Sequence, residues 1–404
     1  MTKPRRMQAV IGPLATNALG FRVELEARGY SSSAVNLRLW LLGSMSRWLD
    51  QQGLSANDFT TERVEQFVQD RRVRGYKSWV SMRSPALVVG YLRSVGAAPA
   101  PTLAVNEGPV DVWVASYGRY LVDERGLTDS TTKHYQYIAR LFLSAQDARG
   151  GVEPGRLSAA DVVGFVGREC TRLSTSTAKY SVAALRSLLR YLHVAGVTSI
   201  PLALAVPSVA SWRDSSLPRG LDAAQVGSLL TSCDRRRGVG RRDYAILKLL
   251  VRLGLRVAEV AGLELDDVNW HQGELLIRGK GDRHERLPLP HDVGEALVAY
   301  LKLRGRGPDG CRRVFLRVRA PLGGLARTAV EGVVHDACVR AGLPVVGAHR
   351  LRHTAATEML RAGASLPDVA QALRHRRLET TSIYAKVDRR ALRALAQPWP
   401  GGVA

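Results

Sequence analysis

AHRLRHTAATEML, residues 348–360, and ALRHRRLETTSIYAKV, residues 372–387, place His349, Arg352, His375 and Tyr384 in one short segment. Three of these side chains give or take protons, and Arg352 is a fixed cation with a planar fork of donors. A single Tyr after such a basic cluster points to a phenolic nucleophile aimed at a phosphate. Breaking a phosphodiester needs an in-line attacker, charge stabilisation on the non-bridging oxygens and a proton for the departing oxygen. Taken singly, each residue has an ordinary structural reading, and a lone Tyr is usually a core or surface residue. It is the combination that carries the inference.

The remaining composition narrows the partner. The chain has 404 residues, 46% of them hydrophobic, so it can bury two or three cores. Its formal net charge is +22, a field that favours a polyanion. No apolar run approaches the roughly 18–20 residues that cross a bilayer, and MTKPRRMQAV at the start lacks the apolar core of a signal peptide. The expectation is therefore a cytoplasmic protein, nucleoid-associated when bound to DNA, with double-stranded DNA as partner and no membrane role. Cys170, Cys233, Cys311 and Cys338 are scattered without a CxxC pair, which argues against a zinc ribbon or a secreted disulfide framework.

Upstream, the first half repeats itself weakly at an offset of about a hundred residues. FRVELEARGYSS from Phe21 matches YGRYLVDERGLTDS from Tyr117. DFTTERVEQFV from Asp58 matches RLSAADVVGFV from Arg156, and ALVVGYLRSVG ending at Gly96 matches SLLRYLHVAGV ending at Val197. Apolar residues recur at helical spacing in both copies (Leu37, Trp40, Leu41 and Met45; Tyr137, Leu141 and Phe142), with N-cap signals at Thr60 and Ser158. Four or five short helices per copy are expected. Both copies carry hydroxyl and basic residues near the last helix, Lys77 and Arg83 in one, Thr177 and Lys179 in the other. Such a helix end suits either phosphate docking or simple capping. With Lys133, these are the candidate DNA contacts. The Pro-, Ala- and Gly-rich stretches 96–109 and 199–220 divide the chain into parts 1–100, 110–200 and 218–396.

The third part begins with Asp222 as an N-cap, followed by a core helix striped with Tyr244, Leu247, Leu250 and Val251 that stops near Gly254. Arg256 comes next, with Glu259 one turn on. Two β-like runs, Glu274–Arg278 and Glu285–Leu289, flank a Gly-Lys-Gly-Asp turn that carries Lys280. The fold expected is mainly α with a small β-sheet in the last domain.

Arg256 in GLRVAEVAGL, Lys280 in RGKGDR, HRLRH at 349–353, LRH ending at His375, and Tyr384 in TTSIYAKV resemble, in order and setting, the tyrosine recombinases (phage integrases and Xer-type recombinases). The likeness covers residues 218–390, and the module at 110–200 looks like that family's SAM-like helical core-binding domain. The resemblance implies a site-specific recombinase acting in DNA integration, excision or transposition. Arg256 and Arg352 would grip the scissile phosphate, and Tyr384 would attack phosphorus to give a 3′-phosphotyrosyl link. Lys280 would protonate the leaving 5′ oxygen, His349 would assist at the tyrosine, His375 would hydrogen-bond the phosphate, and Glu259 would orient an active-site group. It also implies a homo-tetramer on synapsed DNA, with the tail VDRRALRALAQP after Tyr384 as a hook onto a neighbouring subunit. The covalent link conserves bond energy, so no cofactor, neither metal nor ATP, is expected.

The chain departs from the family pattern in two places. Arg374 stands before His375 where Gly is common, and the pattern reading makes it an added cation near the phosphate. Residues 1–100 form an N-terminal module beyond the minimal two-domain enzyme, suited to reading extra DNA or to protein contacts. His353 lies four residues after His349, a spacing seen in metal sites, but no HExxH glutamate or third ligand accompanies it. The competing functions are a type IB-like topoisomerase, which shares the tyrosine chemistry, and a DNA-binding protein that does not cleave.

Overall fold

The computed structural model describes residues 10–100, 108–147, 153–210, 220–279, 284–305, 307, 310–375, 381 and 384. Contacts divide the chain into two compact units, Met1–Ala100 together with Asp214–Ala404, and Pro101–Arg213.

Within the first unit, the N-terminal module is four α-helices: α1 (Ala18–Ala27), α2 (Ser32–Gln51), α3 (Thr61–Val73) and α4 (Ala86–Ser94). Thr60 caps α3 by accepting a hydrogen bond from the Arg63 amide. The core takes Phe21 and Leu25 from α1, Leu42, Met45 and Leu49 from α2, Phe67 from α3 and Leu92 from α4. The stripe expected on α2 is rotated. Leu37 and Trp40 face outward, and Trp40 instead packs on Trp79 with ring centroids 4.7 Å apart.

The second unit holds α5 (Pro109–Asp123), α6 (Asp129–Asp147), α7 (Ala159–Cys170) and α8 (Thr175–Val194). A capping box between Ser158 and Asp161 starts α7, as their spacing predicts. Tyr137, on the expected apolar stripe of α6, is exposed, whereas Ile138 and Phe142 are buried. The sequence repeat has a packing counterpart. Phe21 meets Tyr91 at 5.0 Å in one module, and Tyr117 meets Tyr191 at 5.4 Å in the other, joining the first helix to the last. Edge-on aromatic pairs likewise join the second helix to the third, Trp48 to Phe67 and Phe142 to Phe165. The repeated apolar positions are thus those that pin each helix set together.

The third part begins at α9 (Ala223–Thr231), where Asp222 and Gln225 form a reciprocal cap. Its centre is α10 (Gly238–Arg252), buried along most of its circumference through Ala245, Ile246, Leu247, Leu249, Leu250 and Val251. Burying each such Leu or Ile side chain is worth about 1.5–3 kcal/mol. Around it lie α11 (Val257–Gly262), α12 (His291–Leu301), α13 (Arg327–Arg340), α14 (Ala348–Arg361) and α15 (Leu366–Ala372). The sheet is antiparallel in the order β1 (Val268–Asn269), β2 (Glu274–Arg278), β3 (His284–Pro288). Leu275 pairs with Val268 on one side and Leu287 on the other, and Leu275 and Ile277 turn inward to the core. The chain is therefore mainly helical with one small sheet. Strand β3 starts one residue earlier than the pattern suggested, and β1 is too short to show in it. Residues 280–283, with Lys280, lie outside the described residues, as does the tail beyond Tyr384.

Inside their shared unit, the N-terminal module and the third part touch at Leu322. The Leu322 amide donates to the Arg28 carbonyl at 2.9 Å. Leu322 also lies where a Cβ on Gly29 would sit, at a φ of +77° that glycine accepts without strain.

Candidate active site

The site is organised at a tight turn. Helix α10 ends at Arg252, and Gly254 (φ +58°) turns the chain under α14 and α15; a Cβ there would lie 2.5 Å from Leu373 and 3.3 Å from Ala355. This close approach delivers Arg256 to the start of α11. Glu259, one turn on, accepts from the Arg256 amide at 2.7 Å and from its Nη1 at 2.7 Å. The Arg256 side chain remains 45% exposed, open to an incoming anion, while that of Glu259 is 4% exposed.

Arg352 is buried on α14. Its two Nη groups donate to the carbonyls of Gly254 and Leu373, so this guanidinium ties the turn before Arg256 to the end of α15. Burial, then the like charges of Arg256 and Arg374, pushes its pKa down to about 10. Near neutral pH it stays a cation.

Tyr384 is 1% exposed. Its phenol lies 2.6 Å from Nδ1 of His353; with the ring proton on Nε2, Nδ1 accepts from the phenol, and with it on Nδ1 the ring donates to the phenol oxygen. Burial pushes the phenol up to about 12, with the Arg352 charge pulling the other way. Burial and then His349, Arg352 and Arg350 push His353 down to about 4, so its ring is neutral near pH 7. His349 sits edge-on to His353 with centroids 4.7 Å apart, and burial with Arg352 and Arg256 lowers its pKa also. His375 follows α15; its Nδ1 is 2.7 Å from Thr381 Oγ1, and burial with the nearby arginines pushes it down to about 4.

The fold thus gathers Arg256, Glu259, His349, Arg352, His375 and Tyr384 around α14 and the ends of α10 and α15. Lys280 is outside the described residues. Two residues take parts that sequence reasoning did not give them. His353, weighed only for its spacing from His349, is the residue that contacts the phenol; its position beside Arg352 and one turn past His349 was the available signal. Arg374, read from the pattern as an added cation near the phosphate, pairs with a carboxylate in the fold. It lies inward, with Nη2 2.8 Å from Glu259 Oε2 and its side chain 5% exposed. Burial pushes the Glu259 carboxyl up, but the charge of Arg374 and the hydrogen bonds and charge of Arg256 outweigh it and hold the pKa below the usual range.

The candidate DNA contacts fall in separate places. Lys77 and Arg83 are exposed between α3 and α4. In the other unit Lys133 pairs with Asp129 at 2.7 Å on the surface of α6. Thr177 and Lys179 are exposed in the first turns of α8. There the Ser174 hydroxyl accepts from the Thr177 amide at 3.3 Å, so part of that hydroxyl cluster caps its own helix.

Residues 219–390 match the model of the phage integrase family. The integrase/recombinase y4rA of Sinorhizobium fredii is 41% identical over 396 residues, covering 96% of this chain and 95% of the relative. Tyrosine recombinase XerD of Listeria monocytogenes is 32% identical over 289 residues, 69% of this chain and 95% of the relative. This chain belongs to the tyrosine recombinase family. In structure the recombinase is similar to XerH site-specific recombinase bound to its difH substrate, with TM-score 0.58 and 20% identity over 71% of this chain and 96% of that one. It is also similar to a lambda integrase dimer bound to a core site, with TM-score 0.54 and 15% identity over 66% of this chain and 95% of that one. At these identities the likeness is one of fold. The relatives are recombinases along nearly their whole length, and neither the topoisomerase nor the non-cleaving reading gains support from them.

Proposed function

We propose that this site-specific recombinase cuts and rejoins duplex DNA through Tyr384. The Tyr384 oxygen forms a bond to phosphorus as the bond to the 5′ oxygen breaks, leaving a 3′-phosphotyrosyl link and a free 5′-hydroxyl. The phenol proton passes to a histidine, and Lys280 supplies the proton for the 5′ oxygen. Arg256 and Arg352 hold the non-bridging oxygens, and His375 hydrogen-bonds the same phosphate. The observation that carries this reading is the contact of the Tyr384 phenol with the neutral His353, one residue from Arg352. His353 is the phenol's proton partner, with His349 edge-on to it. The second copy of the helical module, together with Lys77, Arg83, Lys133, Thr177 and Lys179, suits extended contact with the DNA backbone. Two DNA sites are exchanged in a homo-tetramer, the assembly in which strands can be passed pairwise between duplexes.

A nicked duplex taken from the DNA flanking its gene tests the chemistry. Wild-type protein should give a covalent adduct and Tyr384→Phe none. Exchange between two marked duplexes, with a tetramer by mass on the synapsed DNA, is the expected second result. Adduct without exchange would return the topoisomerase reading, and binding without adduct the non-cleaving one.

A further inference from the structure

Arg374 occupies a backbone conformation that its residue type disfavours. Its φ is +54°, and among the described non-glycine residues only Trp79 shares that left-handed region. Its side chain is buried, and its Nε has no hydrogen-bond partner among the described residues. Glycine would relieve both penalties, so stability alone does not explain an arginine here. The contacts do. Nη2 of Arg374 donates to Glu259 Oε2 at 2.8 Å, while Glu259 Oε1 accepts from Arg256 Nη1 at 2.7 Å. The ring closes through the main chain, where the Arg374 carbonyl accepts from Arg256 Nη2 at 3.2 Å.

We infer that Arg374 is a positioning residue for Arg256, gripping it by its own carbonyl and, through Glu259, by its side chain. The ring engages one N–H on each Nη group of Arg256 and leaves the other donors of its fork for an anion. It also shares the Glu259 carboxylate between two cations, so Arg256 is not neutralised by a carboxylate of its own. An Arg256 held at two points need not be ordered when the phosphate charge grows. The left-handed turn is what aims the Arg374 carbonyl and side chain at the same partner group.

This inference rests on the proposed cleavage reaction, and one set of measurements separates the two. Arg374→Gly suits the backbone, so its melting temperature should match or exceed that of the wild type. On the nicked duplex its DNA affinity should be unchanged, while the rate of adduct formation at saturating DNA falls about 10- to 100-fold. Arg374→Lys, which restores a cation without the fork, should recover part of the rate. Combining Arg374→Gly with Glu259→Gln should cost no more than the worse single change, because both break one ring. A wild-type rate in Arg374→Gly, or full additivity with Glu259→Gln, overturns the inference while leaving the cleavage reading intact. If Arg374→Gly melts below the wild type, Arg374→Met decides on the folded fraction, and a full rate in it, with the charge and the bond to Glu259 both gone, also overturns the inference. Absence of any adduct from the wild type removes both readings.

Discussion

The contact between His353 and Tyr384 makes a prediction that does not require knowing the DNA target. His353 is held near a pKa of about 4, against an ordinary value of 6.5, first by burial and then by His349, Arg352 and Arg350. A histidine depressed in the fold takes up protons more readily when unfolded. Below the unfolded pKa the unfolded state therefore gains protons that the native state refuses, and stability falls as pH drops from 6.5 towards 4. Two and a half units at about 1.4 kcal/mol each set a ceiling of roughly 3 kcal/mol, of which about 2 kcal/mol is lost by pH 5. His375, depressed to a similar degree, adds a loss of the same sign. Replacing His353 by Gln keeps a polar partner for the phenol but removes the titration. Urea unfolding at pH 7 and pH 5 should show the wild type losing about 2 kcal/mol more than His353→Gln over that interval. Equal losses in the two proteins would refute the claim that the ring is held neutral, and with it the basis for His353 as acceptor of the Tyr384 proton.

Other changes should have separable effects. Gly254→Ala puts a Cβ 2.5 Å from Leu373 at a φ of +58°, so backbone strain and overpacking together should cost about 2–5 kcal/mol in chemical unfolding. Because Arg352 donates to the Gly254 carbonyl, the adduct rate of the folded fraction should fall as well. Arg352→Lys keeps a charge but loses the fork that reaches two carbonyls at once, and adduct formation should drop by on the order of 10³-fold or more. The salt dependence of DNA affinity should follow a slope of about −0.9 per neutralised phosphate. A flat response would deny the role assigned to the positive field of this +22 chain.

The sequence was most informative where local chemistry and chain order coincide. Caps at Thr60, Ser158 and Asp222, the paired strands around residue 280, and the helix ending before Gly254 all follow from short-range rules and are all present. Which face of a helix turns inward is set by its neighbours, and that is why Leu37, Trp40 and Tyr137 were misplaced. The periodicity of α2 and α6 allows more than one stripe, and packing between helices chooses among them. The candidate site residues could be picked out as a set because five separated motifs occur in order, and the fold brings together those of them that are described. The hydrogen bonds that fix them could not be, since Arg352 reaches residues 98 and 21 positions away in the chain. No spacing rule anticipates that His353 meets a phenol 31 residues on, or that Arg374 pairs with a carboxylate 115 residues back.

The balance of charge bears on how such a cluster is held together. Among the described residues, Arg256 and Arg374 hydrogen-bond one carboxylate, Glu259, while Arg352 donates to two carbonyls, so these four side chains carry two positive charges in excess. Three neutral histidines line this cluster, their pKa values lowered by burial and by those same arginines. The unmet charge is tolerable because Arg352 spends its donors on carbonyl oxygens and Arg256 stays half open to water. A phosphodiester attacked by a phenolate carries two negative charges at the transition state, one from each reactant. On the proposed reaction this preformed excess is set against the charge that grows on the phosphate as the phenol proton leaves for a histidine. In that proposed reaction the arrangement would favour the transition state over the ground state, which is the condition for raising the rate and not merely the affinity. It also predicts that cations at this site are worth more to cleavage than to DNA binding. Arg256→Ala should accordingly slow adduct formation far more than it weakens the complex, and an equal loss in both would count against the charge-matching account.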